Sequence, residues 1–178
     1  MRKTIMMLLG SLLFALSASA QSDRVAEIRK MYAEAKKNIE VAERKEKQGQ
    51  PSDMTRAVST YTLPGGTVGK VTTTYYFKTK ENKDVERYFF HPYFIVNTYD
   101  VGYKYYQEFL FDDDEQLAFY YEKNAGDETR FYFSNDENDE YGIAHEINSS
   151  SRTIEPPFAY RIAMELLSAF NLLMNREF

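Results

Sequence analysis

Apolar and polar positions change their period along this chain, and each change marks an element. The first 20 residues begin with Arg2 and Lys3. They continue through a nearly unbroken apolar run, Ile5 to Leu16, and end on Ala18-Ser19-Ala20. A short positive segment, an apolar run of this length and a small-x-small ending are the parts of a cleavable export signal. Cleavage is expected after Ala20, leaving a mature chain from Gln21. The run is shorter than the roughly 20 residues a membrane-spanning helix needs. No stable membrane insertion is expected after cleavage.

From about Asp23 to Lys47 the period is helical. Val25, Ile28, Tyr32, Ala35, Ile39 and Ala42 follow spacings of 3, 4, 3, 4 and 3, which makes one narrow apolar stripe. Almost everything else in the segment is charged. Ser22 or Asp23 can cap the start, and Gly49 with Pro51 ends the pattern. The same spacing is compatible with a coiled-coil seam. Alanine at two seam positions makes a poor zipper, so a helix laid on a sheet is the expectation.

After Asp53 the period becomes 2. Thr55–Thr62 and Thr67–Phe77 read as two strands around the turn Pro64-Gly65-Gly66. Gly69 is a place for a bulge. Val85–Phe90 reads as a strand that Pro92 interrupts. Tyr103–Phe111, Gln116–Tyr121, Thr129–Ser134 and Tyr141–Ile147 follow, separated by polar turns. On the strand from Tyr103, alternation sends Tyr105, Gln107, Phe109 and Phe111 to one side and Tyr106, Glu108 and Leu110 to the other. Strands this close together leave no room for crossover helices, so an antiparallel meander is expected. A last helix is expected over 157–171, opening on Pro157. Ala159, Ile162, Ala163, Leu166, Ala169, Phe170 and Leu173 give it a broad apolar face.

The reading is a single α+β domain over residues 21–178: a mostly antiparallel meander sheet, strands from about 54 to 147, with an N-terminal helix (23–47) and a C-terminal helix. Both helices are expected on one sheet face. The other face, rich in tyrosine, would meet water or a partner.

Composition sharpens this. There are 15 Tyr, 13 Phe, no Trp and no Cys. Disulfides, thiol chemistry and a cysteine-linked lipid are excluded. Without Arg2 and Lys3 the mature chain holds 20 basic against 27 acidic residues, a charge of −7. Such a surface repels polyanions, so nucleic acid is not an expected partner.

The chemistry-bearing residues form no strong motif. There is no HExxH and no GxSxG. Gly65, Gly66, Gly69 and Lys70 lack phosphate-loop spacing. The two histidines are His91 and His145; a zinc site made from both and one acid is conceivable. Glu108, inside a tyrosine-rich strand, is the least ordinary carboxylate for glycoside chemistry. The acidic runs around Asp112 and Asp114, and around Asp136 and Asp139, are candidate calcium ligands in a calcium-rich exterior. Neither has EF-hand spacing.

The leading functional expectation is an exported, non-catalytic binding or protein-interaction domain, periplasmic or extracellular. Its surface would be drawn from Tyr76, Tyr103, Tyr105, Tyr106, Tyr120, Tyr121 and Tyr132, with Glu108 and Arg130, because tyrosine covers area at little entropic cost. The partner would be an extracytoplasmic protein or polymer, and the chain itself a monomer or weak dimer. The alternatives are a structural or assembly protein of the cell envelope and an exported hydrolase of glycans or peptides.

Overall fold

The computed structural model describes residues 2–63, 69–82, 87–100, 102, 104–134, 144–148 and 155–174; for 2–21, 81–82, 87–88 and 144–148 it describes the backbone alone. The elements run α1 (Arg2–Lys47), β1 (Met54–Leu63), β2 (Gly69–Asn82), β3 (Arg87–Asp100), β4 (Lys104–Phe111), β5 (Leu117–Asn124), β6 (Asp127–Tyr132), β7 (Ala144–Asn148) and α2 (Pro156–Met174). The seven strands form one antiparallel sheet in chain order, β1 to β7. The α+β class and the meander are as expected. Among the described residues no helix is long and apolar enough to cross a membrane.

The helices do not share a face. On one side α1 packs Ile28, Ala35, Ile39 and Ala42 against Tyr76, Phe94, Leu110, Phe119 and Tyr132. On the other, α2 packs Ala159, Ala163, Leu167 and Phe170 against Tyr75, Phe77, Ile95, Phe109 and Phe131. The expectation of two helices on one face is therefore corrected to three layers, helix–sheet–helix. The reason lies in neighbouring pairs. Tyr75/Tyr76, Phe94/Ile95, Phe109/Leu110 and Phe119/Tyr120 each send one large apolar group to either side. Both faces are then apolar, and each needs a cover.

Two further elements differ from expectation. The helix expected from Asp23 extends back to Arg2, since the Leu- and Ala-rich segment before it favours helix. Pro92 does not end its strand. β3 runs on to Asp100, and Pro92 stands opposite Phe77 beside a bulge. Tyr93 is the extra residue there, and it packs on the same side as Phe94. A bulge is where an interior strand tolerates proline. A second bulge, at Ala118 in β5, likewise places Ala118 and Phe119 together on the α1 side. On α2, Leu172 and Leu173 are exposed rather than packed.

Tyrosine-held carboxylates and an exposed edge

Six candidate residues gather under α1. Glu108 is only 2% exposed. Its Oε2 accepts the Tyr32 hydroxyl at 2.5 Å, and its Oε1 accepts Lys36 Nζ at 2.7 Å and the Tyr106 hydroxyl. Lys36 also lies 5.6 Å from the centre of the Phe94 ring. Beside this group, Arg130 covers Tyr121 at 5.0 Å and donates to Glu128 at 2.8 Å. Arg29 covers Tyr132 and donates to its hydroxyl at 3.3 Å. The Tyr76 hydroxyl donates to Glu43 at 2.6 Å. The polar margins of the α1 stripe, at Arg29, Tyr32, Lys36 and Glu43, thus seal the helix to the sheet. Burial, then hydrogen bonding to glutamate, raises the phenol pKa of Tyr32, Tyr76 and Tyr106. These hydroxyls stay protonated and act as donors.

Tyr105 and Tyr120 lie on the opposite side, where Glu122 is the buried carboxylate. Gln107 Nε2 donates to the Tyr105 hydroxyl at 3.0 Å and the Tyr120 hydroxyl at 2.8 Å. Both hydroxyls donate to Glu122 Oε2, Tyr105 at 2.6 Å. Gln107 Oε1 is buried and makes no hydrogen bond. Next to this ring, Thr73 donates to Asn97 at 2.5 Å, and Asn97 donates to Tyr99 at 3.2 Å.

The expected open, tyrosine-rich sheet face is therefore corrected. Tyr76, Tyr120 and Tyr132 are buried, and Tyr105, Tyr106 and Tyr121 half-buried. The candidates divide between two covered faces. Tyr103, Asp136 and Asp139 lie outside the described residues. Glu108 and Glu122 sit on opposite sides of the sheet, so the two cannot act together on one substrate.

His91 Nδ1 is 3.1 Å from Glu115 Oε1, and its Nε2 is 3.1 Å from the Asp112 carbonyl oxygen. His145 is in β7, opposite Phe131. Three strands separate it from β3, about 19 Å at the usual strand spacing. The two histidines therefore do not share a site. Asp112 Oδ1 accepts the backbone N–H of Asp114 at 3.0 Å and of Gln116 at 2.9 Å, closing the β4–β5 turn. Among the described residues, no three His, Asp or Glu side chains converge on a position for a metal ion.

A cleft of about 200 Å³ opens between the end of α1 and β1, lined in part by Glu43, Glu46, Met54, Arg56 and Tyr76. Its charges pair with one another: Arg56 is 3.2 Å from Glu46 and 3.9 Å from Glu43.

The largest exposed feature of the sheet is one the tyrosine pattern did not indicate. Residues 58–63 of β1 are all exposed, with Val58 at 54%, Tyr61 at 50% and Leu63 at 37%. β1 is the first strand in the sheet order, so its outer edge has no neighbouring strand. The signal for it was the meander itself, whose first strand is an edge. Compared with protein-family models, with curated proteins and with solved structures, the chain matches none.

Proposed function

We propose that the chain is exported, loses its first 20 residues and acts outside the cytoplasm as a non-catalytic interaction domain. Its binding surface is the outer edge of β1 rather than a sheet face. The observation that carries this reading is the exposure of Val58, Tyr61 and Leu63 along an edge strand. An edge strand presents a row of unpaired N–H and C=O groups, a template for an added strand. The buried polar groups support the same reading. Both oxygens of Glu108 are taken by donors of the fold itself, and Glu122 is bound within the tyrosine ring. These groups brace the sheet and leave its edge as the surface on offer.

Two measurements test this. The mass of the protein isolated from the producing cells reports cleavage: a chain beginning at Gln21 supports export, and an intact Met1 form held in the cytoplasm overturns it. A photo-crosslinking residue at position 61 should yield specific adducts, while the same residue at Lys37, on the exposed side of α1, should not. Equal labelling from both positions, or none from 61, removes the edge from the proposal.

A further inference from the structure

We infer that the strand which pairs with the β1 edge is β1 of a second copy of this chain, antiparallel about a twofold axis near Thr60. This rests on the reading of β1 as the binding edge, and it names the partner.

The first argument is charge. The chain carries a formal charge of −5, so two copies repel over most of their surface. From Ala57 to Gly69 there is no charged residue. In a twofold pairing over Ala57–Leu63, no like charges face each other. Arg56, with its partners Glu43 and Glu46, stays outside the overlap. A partner recognised through its charge finds nothing to read on this segment, whereas an equally neutral strand fits.

The second argument is the absence of edge protection. Natural edges are blunted by lysine, proline, bulges or short length. Ala57–Leu63 contains neither lysine nor proline. The β1–β2 register is unbroken over its full length, unlike β2–β3 and β4–β5. The opposite edge of the sheet, β7, is only five residues long. The helices also stop short. α1 packs on Met54 and α2 on Ala57, and from Val58 onward the strand is exposed. Two sheets can meet here edge to edge without a collision of their helical layers.

The third argument is fit. With the axis at Thr60, Thr60 faces its own copy, Tyr61 faces Ser59, Thr62 faces Val58 and Leu63 faces Ala57. A threonine pair of this kind already exists inside the sheet, where the Thr60 and Thr72 hydroxyls are 3.4 Å apart. Tyr61 and its copy become diagonal neighbours, close enough for two aromatic rings to touch. Val58 and Tyr61, the most exposed apolar residues of the strand, gain cover. A self-complementary patch of this kind closes at two copies.

The test is sedimentation velocity on the protein as isolated, at micromolar concentrations, with two charge variants. The wild type should sediment as a dimer. Thr60→Lys and Thr60→Glu each place like charges on the axis and should raise the dimer dissociation constant by about tenfold or more. Mixing the two variants should restore a dimer, since lysine then faces glutamate. Far-UV circular dichroism and the melting temperature establish that each variant folds. Where Thr60→Lys lowers the melting temperature, the pair Thr62→Lys and Val58→Glu carries the same mixing test, because those positions face each other. A wild type that stays monomeric, or a dimer indifferent to the Thr60 variants, overturns the inference. Adducts from position 61 to a different protein, with a monomeric chain, would overturn the second copy and leave the edge as the binding surface. No adducts and no dimer would overturn both.

Discussion

Gln107 and Glu122 face each other across β4 and β5 and are joined by the same two tyrosine hydroxyls. The amide donates to both phenols, and both phenols donate to one carboxylate oxygen. Tyr120→Phe breaks two sides of this ring and leaves a buried N–H without an acceptor. A loss of about 1–3 kcal/mol is expected, the usual cost of an unsatisfied buried group. Gln107→Met should cost less, because it also removes the unpartnered carbonyl oxygen. In a double-mutant cycle Tyr105→Phe and Tyr120→Phe should be non-additive by at least 0.5 kcal/mol. Urea unfolding measures all of these. Additive single losses would show that the ring does not act as a unit.

Glu108 tests the opposite face. Glu108→Gln keeps the shape but replaces an acceptor with a donor against Lys36 and two tyrosines. The expected cost is about 2–3 kcal/mol, in the range for a hydrogen bond to a charged group. Lys36→Met should cost less, about 1 kcal/mol, since the Lys36 side chain is 39% exposed and Glu108 keeps both phenol donors. A larger loss from Lys36→Met than from Glu108→Gln would contradict this ranking.

The meander was legible because its turns are local. Asn124 to Glu128 and Asp112 to Glu115 mark hairpins by composition alone. The α1 stripe was legible for the same reason. Its six apolar positions include every α1 residue that the structure buries, Ile28, Ala35, Ile39 and Ala42. The placement of the helices was not legible from alternation of tyrosines, because tyrosine suits covered and open faces equally. The usable signal was elsewhere, in runs such as Phe109-Leu110-Phe111 and Phe119-Tyr120-Tyr121, which put apolar bulk on both sides. Pro92 hid the second half of β3 because a bulge depends on the partner strand. Of the candidate site, Glu108 stood out correctly as unusual. Its ligands, Tyr32 and Lys36, come from a helix more than 70 residues earlier in the chain, and no local pattern announces such a contact.

Stability should fall steeply on the alkaline side. The phenols of Tyr32, Tyr76, Tyr105, Tyr106 and Tyr120 are all raised from their ordinary value, first by burial and then, for most of them, by hydrogen bonding to glutamate. Tyr121 is pushed up to about 12, by burial and by its hydrogen bond with Glu128. An unfolded chain releases these protons near pH 10, and the folded chain retains them. The stabilisation is complete below about pH 10 and is lost as pH rises above it. On the acid side the Glu128 carboxyl is held below its usual range by Lys123, Tyr121 and Arg130, so its small contribution disappears as pH falls. Urea midpoints from pH 8 to 11.5 check this, and Tyr105→Phe should flatten the alkaline limb. A flat profile through pH 11 would mean that the buried phenols are not linked to folding.

The tightest turn carries a removable cost. Ala125 and Gly126 both have positive φ, at 49° and 105°, between the paired residues Asn124 and Asp127. Two left-handed central residues make the hairpin turn for which Asn-Gly is the preferred sequence. Alanine pays for this conformation through its Cβ, and asparagine tolerates it better. Ala125 is exposed, so its replacement disturbs no packing. Ala125→Asn should stabilise the fold by about 0.5–1 kcal/mol, or roughly 1–4 °C in melting temperature for a domain of this size. Ala125→Val should act in the opposite sense, since a β-branched residue is a poor fit there. Gly126→Ala should also destabilise. No atom lies within 4 Å of the added Cβ, so the whole of that loss would come from φ. Thermal scans of the three variants separate backbone conformation from contacts. A stabilising Ala125→Val would show that the hairpin in solution does not keep this turn.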